Sequence, residues 1–296
     1  MSVRSEFAEK TPVILGTATP GGGFPLYGSV IVDVVNALEP SLAIEARNTK
    51  GSTENVPLLL KGALDIALVQ GEVVQGALAA GLRILAAMYS TPGMFVVRGD
   101  SGDRGIADLR GKPIAFGARG SGLVILARNV LDGIGLDPER DFQAIYLDRA
   151  GDGPHMVMEG RVAALWGGGA GWPGFTAVAQ GPGGARFIAP DAEEIARICA
   201  KHPFLKPMTL PANAYPGQAQ PISSVGSWNF ILTRGDLDDG VSYRIARALH
   251  RGETELAARL PQARETTAAN TAAAAPGLAL IHPGALRYLR EIGLAR

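Results

Sequence analysis

Short apolar runs alternate with helix-spaced apolar positions along the first two hundred residues of the chain. Residues 13–17 form a β-branched run that predicts a strand, and residues 26–38 carry apolar side chains at helical spacing. The pattern continues with predicted strands at residues 43–46 and 66–70, each followed by a predicted helix. Two further predicted strands flank the turn signal Thr91-Pro92-Gly93, after which the alternation starts again near residue 108.

The repeated strand–helix units predict the fold class. Such alternation is typical of α/β proteins with mainly parallel sheets and helices on both faces. Two series of units predict two lobes, each a mainly parallel sheet flanked by helices. We expect a discontinuous first lobe of residues 11–97 and 228–296 and a second lobe of residues 98–227. Residues 1–10 are expected to be disordered or introduced for expression.

Composition and charge narrow the function by exclusion. The 296 residues carry 28 Lys and Arg against 28 Asp and Glu, whereas a general nucleic-acid binder needs a basic face. The single cysteine excludes an internal disulfide and a cysteine-based zinc cluster, and the four histidines lack ligand-like spacing. No run approaches the roughly 20 apolar residues of a membrane helix. We therefore predict no cofactor, no metal, no nucleic-acid partner and no membrane-spanning segment.

Glycine-rich loops follow three of the predicted strands, after Thr17, Phe116 and Trp166. In open α/β sheets, ligands bind at the carboxyl ends of strands. Because these loops come from both lobes, the pattern predicts a site in the cleft between them. The chain contains neither GxGxxG nor GxxxxGK[ST], which argues against a nucleotide-phosphate site. Residues 120–122 also lack the GxSxG spacing of a nucleophile elbow.

Individual candidates have both a structural and a functional interpretation at this level. Ser121 is an N-cap for the following helix, either with no ligand or as part of an anion cradle with free backbone N–H groups. Trp166 is a core residue or a flat apolar wall beside the glycine run that follows it. His155 has Asp148 and Asp152 nearby, but no nucleophile partner is identifiable for it.

Five segments, in chain order, resemble the TAXI-type solute-binding subunits of TRAP transporters (tripartite ATP-independent periplasmic transport systems). They are GTATPGGGFPLYG at residues 16–28, KGSTEN at 50–55, DIALVQ at 65–70, GKPIAFG with GSG at 111–122, and HPGALRY at 282–288. Glu291 and Gly293 extend the last segment. The resemblance runs along nearly the whole chain, from about residue 13 to residue 293.

This resemblance implies a two-lobed periplasmic-binding-protein fold of type II. It also implies a periplasmic protein, not an enzyme, whose leader has been removed from this chain. Such a protein would capture a small organic anion by hinge closure: a dicarboxylate, an amino acid, or an aromatic or apolar carboxylate. It would deliver this ligand to the membrane permease subunits of a TRAP transporter.

By position in the resembling segments, the ligand-facing residues come from the strand-end loops and helix starts. They would be Thr19, Gly22, Gly23, Phe24, Tyr27, Ser52, Thr53, Gln70, Tyr89, Arg119, Ser121, Gly122, Trp166, Gly167 and Gly168. Many family members have a hydroxyl residue and two tyrosines where this chain has Gly22-Gly23-Phe24. The pocket is therefore expected to be more apolar or roomier, with Tyr27 replacing one lost polar group. Arg119 either supplies a cation or is a solvated surface residue.

Two other functions stay open on the sequence. One is an enzyme on the same scaffold, resembling the thiamine-pyrimidine synthase class, for which the chain offers only His155 and Cys199 as reactive groups, without partners. The other is a cytoplasmic ligand sensor, which the absent leader favours. No DNA-binding segment supports the sensor.

Overall fold

The computed structural model describes residues 10–296, so the predicted N-terminal stretch lies outside the described residues except for Lys10. The strands are β1 (Thr11–Gly16), β2 (Leu42–Arg47), β3 (Ile66–Val69), β4 (Arg83–Arg98), β5 (Pro113–Ala118), β6 (Gln143–Leu147), β7 (Ala164–Gly168), β8 (Ala185–Ile188), β9 (Lys206–Leu210) and β10 (Ile222–Thr233). The helices are α1 (Gly23–Leu38), α2 (Ser52–Leu60), α3 (Gly71–Ala79), α4 (Gly122–Gly133), α5 (Pro138–Asp141), α6 (Gly153–Met158), α7 (Pro173–Gln180), α8 (Ala192–Lys201), α9 (Asp239–Arg251), α10 (Glu253–Arg259), α11 (Ala268–Ala274) and α12 (Pro283–Glu291).

The strands form two α/β lobes joined through long shared strands, as the alternation predicts. The strand order is β2-β1-β3-β10-β4-β7-β5-β6, with β8 added to β4 and β9 added to β10. Within the lobes, β1 runs parallel to β2 and β3, and β5 runs parallel to β6 and β7. The shared strands β4 and β10 pair antiparallel to their neighbours, so the sheets are mixed.

Strand β4 passes from one lobe to the other without a break. Residues 83–92 pair with β10, and residues 93–98 pair with β7 and β8. The prediction of a turn at Thr91-Pro92-Gly93 is therefore wrong. Pro92 is accommodated because Gly226 lies opposite it, so close that an added Cβ would lie 1.9 Å from the Thr91 carbonyl oxygen. This change of partners comes a few residues before residue 97, where the first segment of the first lobe is predicted to end. The lobe boundaries given above stay a prediction.

Apolar cores cover both faces of each sheet. In the first lobe, α1 and α9 pack on one face, and α12 packs on the other through Ala285 and Leu289. The chain's end therefore returns to the first lobe, where the His282 N–H donates to the Ile84 carbonyl. In the second lobe, an aromatic cluster of Phe95, Phe116 and Trp166 fills the centre of one core.

A buried carboxyl group lies beside the shared strand β10. The Ser227 hydroxyl donates to Glu72 Oε1 at 2.5 Å, while Oε2 is buried and has no partner among residues 10–296. Burial raises the pKa of Glu72 to about 7, and the Ser227 hydrogen bond opposes this shift only in part. The folded state therefore holds this proton more tightly than the unfolded chain, where the carboxyl ionises near pH 4.5.

We expect Glu72→Gln to flatten the pH dependence of stability. Ionisation of Glu72 in the unfolded chain makes the wild type lose stability as pH rises from about 4.5 to 7, with no further change above that range. At pH 8, the unfolding free energy of the variant should exceed that of wild type by up to about 3 kcal/mol. The figure follows from the rise of the Glu72 pKa from 4.5 to about 7, because each pKa unit corresponds to about 1.4 kcal/mol. Urea denaturation at several pH values measures this. The exposed Glu193→Gln is the control, and identical pH slopes for Glu72→Gln and wild type would contradict the prediction.

Candidate functional site

A cleft lies between the two lobes at the carboxyl ends of β1, β3, β5 and β7. It encloses about 660 Å³ of space, its mouth included. Its walls are Ala18, Thr19, Gly22, Gly23, Phe24, Lys50, Gly51, Ser52, Gln70, Tyr89, Thr91, Gly117, Ala118, Ser121, Leu123, Ala150, Leu165, Gly168, Trp172 and Asn229. The ends of β5 and β7 and the segments that follow β1, β2, β3, β5, β6 and β7 supply most of the wall, which is the position expected for a ligand in an open α/β sheet.

Two helix N-termini, one from each lobe, meet at this cleft. The residues before α2 and α4 approach so closely that an added Cβ on Gly51 would lie 3.2 Å from the Gly120 carbonyl oxygen. Gly51 and Gly120 have φ values of +111° and +82°, which favour glycine. The first N–H groups of a helix have no intrahelical acceptor, and this end carries a partial positive charge. The arrangement is therefore suited to an anion.

Ser52 and Ser121 line the cleft at these two helix starts. The Ser121 hydroxyl caps α4 as predicted and accepts the Leu123 N–H at 3.2 Å. Ser52 does not cap α2, because Gly51 is the N-cap and Ser52 is the first helical residue. The buried Ser52 hydroxyl instead accepts the Gln70 N–H at 3.0 Å, which joins α2 to the end of β3.

Direct hydrogen bonds close the cleft between the lobes. The Thr53 hydroxyl donates to the Gly120 carbonyl at 2.8 Å, and the Thr53 N–H donates to the same oxygen at 3.3 Å. On another wall, the Ala150 N–H donates to Thr19 Oγ1 at 3.3 Å. These contacts join the first lobe to the second, so the structure is in a closed conformation.

The walls carry almost no fixed charge. Among the described residues, Lys50 is the one basic residue of the cleft walls, and its side chain is exposed. The lining contains no Asp, Glu, His or Cys. Glu265 lies behind the wall, where it accepts hydrogen bonds from the Ser90 N–H and hydroxyl, and burial raises its pKa. Burial also raises the pKa of the Tyr89 hydroxyl well above its usual value. Apart from Lys50, the walls of the cleft therefore consist of neutral polar groups and apolar surface.

The described residues contain neither a metal cluster nor a membrane-spanning helix. In residues 10–296, no group of three or more His, Cys, Asp or Glu side chains is placed to hold a metal ion. Of the helices described, none combines the length and apolar character needed to cross a bilayer.

Comparison with known proteins assigns the chain to a family. A family model described as the NMT1-like family matches residues 15–293. The chain belongs to the NMT1-like family. Solved structures similar to this NMT1-like protein include one from Bordetella bronchiseptica RB50, with a TM-score of 0.59 and 15% identity over 96% of this chain and 98% of that one.

Two further similar structures are binding proteins by their descriptions. The alkanesulfonate-binding protein SsuA from Xanthomonas axonopodis pv. citri, bound to MOPS, has a TM-score of 0.52 and 19% identity over 96% of this chain and 84% of that one. The periplasmic aliphatic sulphonate-binding protein SsuA from Escherichia coli has a TM-score of 0.50 and 20% identity over 95% of this chain and 84% of that one. At these identities the likeness establishes the two-domain α/β fold of periplasmic binding proteins.

Most of the residues predicted to face a ligand lie on or beside the cleft of this NMT1-like protein. The structure places these on its walls: Thr19, Gly22, Gly23, Phe24, Ser52, Gln70, Tyr89, Ser121 and Gly168. Thr53 and Gly122 do not line the cleft but lie at the contact between lobes. An added Cβ on Gly122 would lie 2.5 Å from Gln70 Cβ.

Four predicted ligand-facing residues lie away from the cleft walls. Tyr27 is fully buried on α1, where its hydroxyl is 2.9 Å from Thr266 Oγ1, so it cannot replace the polar group lost from the first loop. Arg119 is exposed and its guanidinium lies 5.7 Å from the centre of the Tyr146 ring, which corresponds to the solvated alternative. Gly167 packs against the Trp172 ring.

Trp166 is a core residue, and Trp172 takes the position in the wall. Trp166 is fully buried, donates its indole N–H to the Leu123 carbonyl at 2.9 Å and packs edge-on against Phe95. Trp172 flanks the same glycine run on its other side and lines the cleft. The run therefore does place an indole beside the cleft, but it belongs to the residue before α7, four positions after β7 ends, and not to the strand itself.

The sequence interpretation missed several cleft residues. They are Ala18, Lys50, Gly51, Thr91, Gly117, Ala118, Leu123, Ala150, Leu165, Trp172 and Asn229. Lys50 and Gly51 belong to the KGSTEN segment and carried a usable signal. Thr91 and Asn229 gave none, because pairing of β4 with β10 brings them together and lets Asn229 Nδ2 donate to Thr91 Oγ1 at 2.5 Å.

Proposed function

We propose that this chain is an extracytoplasmic solute-binding protein that captures a small organic anion and delivers it to a TRAP-type permease. The meeting of the α2 and α4 N-termini at a cleft lined by Lys50 and no carboxylate carries the proposal. Backbone N–H groups and hydroxyls there are suited to a carboxylate, and the apolar wall is suited to a carbon chain.

Hinge closure is the mechanism that this geometry supports. Strands β4 and β10 are shared by both lobes and would bend, while each lobe moves as a unit. The hydrogen bonds from Thr53 to Gly120 and from Ala150 to Thr19 would form as the lobes meet around the ligand. Exclusion of water from the closed cleft would strengthen the hydrogen bonds to a carboxylate, since electrostatic attraction increases as the local dielectric constant falls.

A binding role is better supported than catalysis. Neither His155 nor Cys199, the reactive residues considered on the sequence, lines the cleft. His282 lies 2.7 Å from the Ser242 hydroxyl and 3.8 Å from Asp239, yet it is fully buried at the start of α12 and Gly284 donates its N–H to it. That group ties α12 to α9, and we assign it a structural role.

The periplasmic location and the TRAP-type partner rest on the five resembling segments. The periplasmic binding proteins of the same fold support the location only. Deletion of this gene and deletion of a neighbouring permease gene should abolish uptake of the same carboxylate. Fractionation of the native cells should place the protein in the periplasm. A cytoplasmic protein, or uptake that survives its deletion, would contradict the proposal.

We expect Ser121→Ala to weaken binding of organic carboxylates by about tenfold, because it removes one hydroxyl donor at the α4 N-terminus. Isothermal titration calorimetry with a panel of four- to six-carbon mono- and dicarboxylates measures the change. The substitution also removes a helix cap, at a cost of about 1 kcal/mol in stability.

Thr267→Ala is the matched control for the lost cap. Thr267 accepts the Asn270 N–H at the start of α11, away from the cleft walls. It should lower stability by a similar amount and leave carboxylate affinity unchanged. An unchanged affinity in Ser121→Ala, or an equal loss in both variants, would argue against an anion site at α4.

A further inference from the structure

The carboxamide of Gln262 is buried without a hydrogen-bond partner. Gln262 lies in the single-turn helix that follows α10, and 1% of its surface is exposed. Neither Nε2 nor Oε1 has a partner among the described residues. A buried amide normally pairs both groups, because leaving them unpaired forfeits their hydration without compensation. This side chain therefore points to a bound group that supplies both a donor and an acceptor.

Gln262 meets the cleft at Gly23. A Cβ added to Gly23, which lines the cleft, would lie 3.5 Å from Gln262 Nε2 and 3.4 Å from Trp172 Nε1. The same Cβ would lie 2.9 Å from Trp172 Cδ1, so the indole and the amide pack against the Gly23 backbone. Gly23 and Trp172 form the cleft wall at this point, and Gln262 lies directly behind it. No hydrogen bond occupies the Trp172 indole N–H within the described residues, although its backbone N–H is fixed by the Tyr215 hydroxyl at 2.9 Å.

We propose that Gln262 and Trp172 form a second subsite of the cleft, which binds an uncharged hydrogen-bonding group on the ligand, a hydroxyl or a carboxamide. The proposal rests on the proposed function, in which the ligand's carboxylate lies at the α2 and α4 N-termini. The new subsite is built from other elements: the first residue of α1, the residue before α7, and the turn after α10.

The chemistry of the subsite ranks the possible groups. A hydroxyl or carboxamide can accept from the indole and amide N–H groups and donate to Gln262 Oε1. A second carboxylate can accept both N–H groups but leaves Oε1 without a donor. A methyl group leaves every polar atom unpaired. An ammonium group meets no carboxylate, because the cleft lining among the described residues contains no Asp or Glu.

A series of five-carbon carboxylates that differ only at the far end tests this ranking. The probes are glutaramate, glutarate, valerate and δ-aminovalerate, with four- and six-carbon homologues to allow for the span of the cleft. We expect wild type to bind the carboxamide about tenfold more tightly than the methyl compound, as one or two neutral hydrogen bonds allow. The ammonium compound should bind most weakly.

Gln262→Met should remove most of the preference for the carboxamide over the methyl compound, measured as their affinity ratio, because it keeps the side-chain length without the amide and leaves only the indole N–H as a donor. Trp172→Phe, which removes the indole N–H and leaves a smaller aromatic ring in the wall, should reduce the ratio by part of this amount and serves if the first variant does not fold. Gln75→Met, at an exposed position on α3, is the control and should leave the ratio unchanged.

The outcomes distinguish a failure of the second subsite from a failure of the proposed function. If the carboxylates bind but wild type does not prefer a carboxamide, or keeps its preference in Gln262→Met, the second subsite is wrong and the anion site stands. If no carboxylate of any length binds to wild type, the proposed function itself fails, and the inference fails with it.

Discussion

Gly122→Leu should reduce carboxylate affinity by about a hundredfold or more while both lobes remain folded. Gly122 is the first residue of α4, and it faces Gln70 across the junction between the lobes. Because an added Cβ would lie 2.5 Å from Gln70 Cβ, a leucine side chain cannot fit when the lobes are together. Opening of the cleft relieves this clash without disturbing either core. Apparent affinity falls in proportion to the population of the closed state, so a closed population of about 1% gives a hundredfold loss.

Calorimetric titration and small-angle X-ray scattering together test the closure argument. The scattering curve of Gly122→Leu should show a larger radius of gyration than wild type and should not contract when carboxylate is added. Gly76→Leu, on α3 with no atom within 4 Å of its added Cβ, is the matched control and should behave like wild type. Full affinity in Gly122→Leu would show that binding does not need the closed arrangement.

Local patterns predicted the elements that build the cleft walls. The residues after β1 and β3 and before α4 lie in the resembling segments, and they supply Thr19, Gly22, Gln70 and Ser121 to the cleft. These positions are defined by strand ends and helix starts, whose residue preferences are local. Strand ends and helix starts can be predicted from a sequence because glycine and capping residues occupy characteristic positions there.

Contacts between distant segments were not predictable. The continuity of β4 through Pro92 depends on Gly226, which follows it in the chain by more than a hundred residues. Gln262 gave no signal at all, since its burial and its nearness to Gly23 arise only from the packing of the turn after α10 against α1. No local propensity encodes such a juxtaposition, because propensity reflects only the residues adjacent in sequence.

Trp166 and Trp172 show, within one short segment, that local sequence does not predict which side chain reaches the cleft. The two indoles flank the glycine-rich residues 167–171, so the composition of this segment does not predict which of them lines the cleft. What separates them is the path of the backbone through Gly169 and Gly171, with φ values of +80° and +68°, which turns the chain after the strand ends. Trp166 remains in the strand and enters the core, while Trp172 follows the turn and lines the cleft.

Trp166→Ala should therefore destabilise the second lobe by about 3–5 kcal/mol, the usual cost of removing a large buried aromatic side chain. Trp166 is fully buried and lies 4.8 Å from Phe95 between ring centres, and Gly93 packs against its ring. Its loss also leaves the Leu123 carbonyl without the indole donor. Urea denaturation followed by circular dichroism measures the change in unfolding free energy.

Comparison with two other tryptophans decides between a core role and a ligand role for Trp166. Trp228→Ala, at a half-buried position on β10, should destabilise much less, since solvent already reaches part of that ring. Trp172→Ala should lower carboxylate affinity because it removes part of the cleft wall. Where enough Trp166→Ala protein is folded, its affinity should remain near wild type. If Trp166→Ala instead lost affinity at unchanged stability, the indole would have to face the ligand, because a core residue acts on binding only through the fold that it supports.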